Sequence, residues 1–187
     1  MLFKRLITNS PYKNVNTISS PTSYETGWLL PSVGENLAGI NPAWTNPNNI
    51  TTLTTSTFAL NAFLNTSNTR ALVARAFDFS SISDAATIDG VAVRVNMKAS
   101  IPDSVDTNAR LLISGSLAGT SLATSTLLAS SFTMRTYGNS TALWGNTLTP
   151  AIVKASNFGF GLVIDNPNDS DDDISVASIE MNVYFTV

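Results

Sequence analysis

From Ser178 to Val187 the chain reads Ser-Ile-Glu-Met-Asn-Val-Tyr-Phe-Thr-Val, with apolar residues at the odd positions and polar ones at most even positions. A period of two belongs to an extended strand, because successive side chains leave a pleated backbone on opposite faces. Val91, Val93, Val95 and Met97 repeat the pattern against Ala92, Arg94, Asn96 and Lys98. Each segment therefore offers one face to a core and one to solvent. The final strand also leads us to expect that the chain finishes inside a sheet, with no anchor, tail or second domain beyond it.

At 187 residues the chain suits one domain able to bury roughly 70% of its unfolded surface. Cysteine is absent, so a hydrophobic core must hold the fold without disulfides or thiolate metal sites. Charged residues are only 12% of the chain, and Ser, Thr and Asn make up about a third of it. These residues serve turns and the outer faces of strands, an all-β balance.

The net charge is −3 and no cationic stripe is present to neutralise phosphates, which argues against nucleic-acid binding. The opening Met1-Leu2-Phe3-Lys4-Arg5-Leu6-Ile7 is cut short by Thr8-Asn9-Ser10-Pro11, too early for the apolar core of a signal peptide. No run of 18 apolar residues predicts a membrane-spanning helix.

Pro11, Pro21, Pro31, Pro42 and Pro47 punctuate the first 50 residues, and proline disfavours central strands and helix interiors. The reading is an extended arm over residues 1–26 and a single β-sandwich domain over residues 27–187. Phe58–Leu64 and Ala71–Phe79, separated by Asn65-Thr66-Ser67-Asn68, predict a hairpin. Asp89-Gly90 leads into a strand over Val91–Lys98, and further strands are expected at Arg110–Ser114, Leu127–Met134, Phe158–Asp165 and Ile174–Val187, with Ser116–Thr126 ambiguous. One or two helical turns are expected at Pro150–Ala155, capped by Thr149. Short strands with turns between them imply a sandwich or barrel, here an antiparallel, jelly-roll-like sandwich.

Without histidine or cysteine, the Ser-His and Cys-His nucleophile pairs and the commonest zinc ligands are unavailable. A carboxylate pair of the glycosidase kind survives as an option, although no spacing singles one out. No catalytic, cofactor or metal residue is assigned. Asn166–Asp173 gathers oxygen ligands of the type Ca²⁺ prefers, but it also reads as a solvated turn, the reading preferred here. Trp28, Trp44 and Trp144 are read as lids on core edges in preference to a sugar-stacking platform.

Gly27-Trp28, Trp44-Thr45-Asn46-Pro47-Asn48-Asn49-Ile50, Phe58-Ala59, Phe77-Asp78-Phe79, Ile88-Asp89-Gly90-Val91, Leu143-Trp144-Gly145, Leu148-Thr149-Pro150 and Phe158-Gly159-Phe160 follow one another in an order that resembles small β-sandwich proteins of tailed bacteriophage virions. The resemblance runs from Gly27 onward and departs from the pattern at Thr55-Ser56-Thr57, where an Asp-Gly pair is common. It implies a non-enzymatic virion component assembled in the host cytoplasm: a capsid decoration or cement protein, homo-oligomeric with a trimer favoured, whose partners are the major capsid protein or other virion proteins. The alternative it leaves open is a tail or head fibre component that binds a host-surface glycan. Partner contacts are expected in the arm, at Leu2, Phe3, Lys4, Arg5, Tyr12 and Lys13.

Overall fold

The computed structural model describes residues 20–62, 68–167 and 171–187. Ten strands follow in chain order: β1 (Ser23–Glu25), β2 (Val33–Asn36), β3 (Ala59–Ala62), β4 (Leu72–Arg75), β5 (Thr87–Ala99), β6 (Val105–Ile113), β7 (Ser116–Ala118), β8 (Thr133–Gly138), β9 (Gly159–Asp165) and β10 (Asp173–Thr186). A 3-10 turn at Pro47–Ile50 and a single helical turn, α1 (Pro150–Val153), complete the regular structure among the described residues. Thr149 caps α1 as expected, its Oγ1 accepting from the Ile152 amide.

Among the described residues every strand pairing is antiparallel, in two five-stranded sheets. One sheet runs β1-β10-β5-β8, with β3 alongside β1 on the same edge of β10, and the other runs β2-β4-β9-β6-β7. Set aside β1 and β2, and the orders β3-β10-β5-β8 and β4-β9-β6-β7 remain. Their chain repeatedly crosses from one sheet to the other, and that is the doubly wound Greek-key path of a jelly roll. The expected all-β sandwich is therefore the observed fold.

The hairpin expected between Phe58 and Phe79 does not form. β3 joins β10 in one sheet and β4 lies between β2 and β9 in the other. Two apolar runs separated by polar turn residues carry no information on whether the second strand turns back or crosses the core. Likewise Leu127–Met134 is mostly irregular, and the strand begins only at Thr133. β1 and β2 fall in the proline-punctuated stretch, with β1 inside the boundaries expected for the arm. Residues 1–19 of that arm lie outside the described residues.

The core sits between the sheets. Val91, Val93, Val95 and Met97 of β5 and Ile179, Met181, Val183 and Phe185 of β10 meet Leu72 and Ala74 of β4, Ala109 and Leu111 of β6, and Phe160, Leu162 and Ile164 of β9. Burying each larger side chain contributes about 1.5–3 kcal/mol against exposure. The inward set of β10 is even-numbered at Ile174 and Val176 and odd-numbered from Ile179. A register shift between Val176 and Ser178 inserts one residue and switches the parity.

The other face of β10 is also covered. Glu180 and Asn182, expected to face solvent, are buried. Arg94 forms a two-pronged ion pair with Glu180, at 2.8 and 2.7 Å, and its guanidinium lies 4.5 Å from the Trp28 ring centre. The outer edge of β10 is taken in turn by β1, Leu29, Thr51 and β3.

Candidate functional site

The acidic loop is built around an inward anchor. Asp172 is fully buried and accepts from Ser100 Oγ at 2.8 Å, the Ile101 amide at 2.9 Å and Ser104 Oγ at 2.5 Å. Its carboxylate thereby ties the start of β10 to the β5–β6 connection. Asp171 and Asp173 face outward, while residues 168–170 lie outside the described residues. Among the described residues no three acidic side chains converge as metal ligands would. Among the described residues of the loop, the one fully buried acid does a structural job.

The three tryptophans divide. Trp44 and Trp144 are buried, and each indole N–H donates at 2.9 Å to a backbone carbonyl, of Arg70 and Val91 respectively. These two are core lids, as their neighbouring turn residues led us to expect. Trp28 is half-buried and has the Arg94 guanidinium against its ring. Trp28 alone keeps exposed area of any extent, so the three indoles make no shared stacking platform.

Sequence reasoning missed a buried ion pair at the edge of the sandwich. Asp106, at the start of β6, is fully buried. It accepts from Arg135 Nη1 of β8, from the Thr124 amide at 2.7 Å and from Thr124 Oγ1 at 3.0 Å. Arg135 also donates to the carbonyls of Thr126 and Leu127, so it clips the 124–128 segment to β8. Tyr137 is buried beside this pair with its hydroxyl unpartnered. Burial, reinforced by the nearby Asp106 charge, pushes the phenol well above its ordinary pKa. Period two carried no signal for it: Asp106 is out of phase with the inward Ala109 and Leu111 and turns inward only through the register shift between Asp106 and Asn108, on a strand that begins five residues before the expected Arg110.

Other carboxylates are similarly engaged. Glu35 receives a two-pronged contact from Arg75 at 2.6 and 3.0 Å, which holds its carboxyl below the usual range. Lys154 bonds Asp84 and the Ile82 carbonyl, joining α1 to the β4–β5 loop. None of these arrangements pairs an exposed acid with a second acid across an open cleft. Their chemistry is that of holding loops to strands.

The predicted contact residues Leu2, Phe3, Lys4, Arg5, Tyr12 and Lys13 all lie outside the described residues. Where the description begins, the chain is tightly registered. Thr22 and Val187 exchange backbone hydrogen bonds at 3.1 and 3.0 Å, and Ser23, Tyr24 and Glu25 pair with Thr186, Phe185 and Tyr184. Tyr24 stacks on Phe185 with ring centres 5.7 Å apart, yet half of its surface remains exposed, as does half of Val187.

Two concavities share Tyr24. One, of about 680 Å³, is bounded by Thr87, Asp89, Leu143 and Tyr184; the other, of about 220 Å³, by Ser81, Ser83, Phe185 and Val187. At this end of the sandwich a partly aromatic surface is exposed. Neither a protein-family model nor a curated protein matches the sequence.

Proposed function

We propose that this chain is a non-enzymatic structural protein of a phage particle, a decoration or cement protein that binds the assembled shell and stabilises it through contacts between subunits. One observation carries the reading most: the segments that resemble the virion sandwiches do scaffold work, and the exposed aromatic surface lies where the amino-terminal segment leaves the sandwich. Trp44 and Trp144 close the core, Trp144 and Gly145 form a left-handed turn with φ near +57° and +70°, and Thr149-Pro150 caps the helical turn. Such a body presents surface and performs no chemistry of its own.

A specific interface covers about 1,600 Å², and repetition over a shell lets modest affinity per copy add up to firm attachment. In this reading the partners are the major capsid protein or another virion protein and further copies of the chain. The glycan-binding fibre alternative loses two of its three tryptophans to the core. Quantitative mass spectrometry of purified particles tests the choice. Copies in the hundreds per particle are the expected result, and a few to a few dozen would overturn it in favour of a fibre or tail position.

A further inference from the structure

Among the described residues Arg75, Arg94, Arg135 and Lys154 each meet a carboxylate, and Lys98 stands over the Phe132 ring. Arg70 and Arg110 do neither. Arg70 lines a hollow of about 290 Å³ beside β6 and β9, together with Asn41, Asn68, Thr107, Asn108 and Val163. Arg110 stands two residues beyond Asn108 on the same face of β6. Among the described residues no acidic side chain lines the hollow. Asp165, two residues past Val163 on β9, has a partner of its own.

The polar groups of this hollow are held in place before any ligand arrives. The Arg70 amide donates to the Pro42 carbonyl at 2.9 Å, and the Arg70 carbonyl accepts from the Trp44 indole at 2.9 Å. Arg70 Nε donates to the Asn41 carbonyl at 2.8 Å, which leaves both Nη groups without a partner among the described residues. A guanidinium approached end-on by that Nη pair matches the two oxygens of a carboxylate. Asn68 Oδ1 accepts from Thr107 Oγ1 at 3.1 Å, so the Asn68 amide nitrogen is left to donate. Asn108 Oδ1 is buried with no partner, a costly state for an acceptor unless a donor is supplied.

We propose that this hollow binds a sugar acid, one hexuronate unit of an acidic polysaccharide. The carboxylate sits on the Arg70 Nη pair, ring hydroxyls meet Asn68, Thr107 and Asn108, and the C–H face of the ring lies against Val163. An acidic peptide side chain offers the carboxylate but lacks the row of hydroxyls that the amides call for. The volume lies at the lower end of the range of about 300–1,000 Å³ for small-ligand sites, room for one ring. The site goes beyond the particle reading, and its test uses the isolated protein, so failure of one is distinct from failure of the other.

Full-length ¹⁵N-labelled protein is titrated with glucuronate and, separately, with glucose, while amide shifts are followed by NMR. The expected result is saturable shifts at Asn41, Asn68, Arg70 and Asn108 with a dissociation constant of about 1 mM for glucuronate and about ten-fold weaker binding of glucose. Arg70→Gln should weaken glucuronate about ten-fold and leave glucose unchanged, because only the charged contact is lost. Thr107 is exposed, so Thr107→Glu sets a like charge beside the carboxylate without disturbing the core, and it should have the same selective effect even if Arg70→Gln fails to fold.

No saturable shift at these amides up to about 20 mM glucuronate would overturn the site. Glucose binding as tightly as glucuronate would overturn the assignment of an acid. N-acetyl-aspartate amide binding as tightly as glucuronate would overturn the sugar in favour of an acidic peptide.

Discussion

Asp106, Arg135 and Tyr137 show how much a few polar residues fix in an otherwise apolar sandwich. A buried ion pair returns little net stability over an apolar substitute, yet leaving one partner alone costs about 3–5 kcal/mol. The pair thus specifies where the 124–128 segment lies against β8. Tyr137 adds a pH dependence. Its folded pKa lies above that of an unfolded tyrosine, about 10. Below pH 10 both states hold the proton and the contribution is fully present. Above it the unfolded chain releases the proton and the folded chain does not, so stability falls as pH rises, by up to about 1.4 kcal/mol per unit for this group. Urea denaturation between pH 8 and 11 should show a steeper alkaline loss in the wild type than in Tyr137→Phe. Parallel curves would mean that Tyr137 ionises alike in both states.

Among the elements, β9 carries the clearest link from local sequence to packing. Gly159 and Gly161 flank Phe160, whose ring packs against Tyr137 and Trp144 with centres 5.7 and 6.0 Å away. A Cβ at Gly159 would stand 2.0 Å from the Ala74 carbonyl oxygen of the neighbouring β4. Gly159→Ala should therefore separate β4 from β9 locally and lower stability by about 2–4 kcal/mol, read as a drop in the denaturation midpoint with unchanged slope. A loss below 0.5 kcal/mol would mean that the strands yield without cost.

The alternation in β5 and β10 was legible because each strand is long enough for period two to stand out. β1, β2 and β7, of three or four residues, are too short for a period and owe their form to the long strands they pair with. Equally illegible was the cover over β10. Glu180 and Asn182 look like solvent-facing residues until Arg94, Trp28 and the β1 segment close over them.

On the scale of the whole molecule, residues before Thr22 differ in charge from everything after it. Because Thr22 is the first residue registered against β10, removing residues 1–20 should leave the sandwich folded. We expect circular dichroism and the denaturation midpoint of the truncated chain to stay close to wild type, while binding to particles weakens. Loss of cooperative unfolding would place those residues in the core after all. Of the surface expected to meet a partner, the sequence named Leu2 to Lys13. The hollows beside Tyr24 came only from the structure, because Tyr24, Ser83, Asp89 and Val187 are scattered over 164 positions and meet through the pairing of β1 with β10.

By itself the sequence determined the fold class, the single core, the place of the helical turn and the burial of two tryptophans. These depend on periodicity, caps and composition, properties of neighbours along the chain. Only the tertiary structure decided that β3 and β4 part into different sheets and that Asp106 and Asp172 turn inward. It also decided that both faces of β10 are covered. The reason is common to all: these outcomes depend on which distant strands meet, and strand pairing is set by the closing of the whole core.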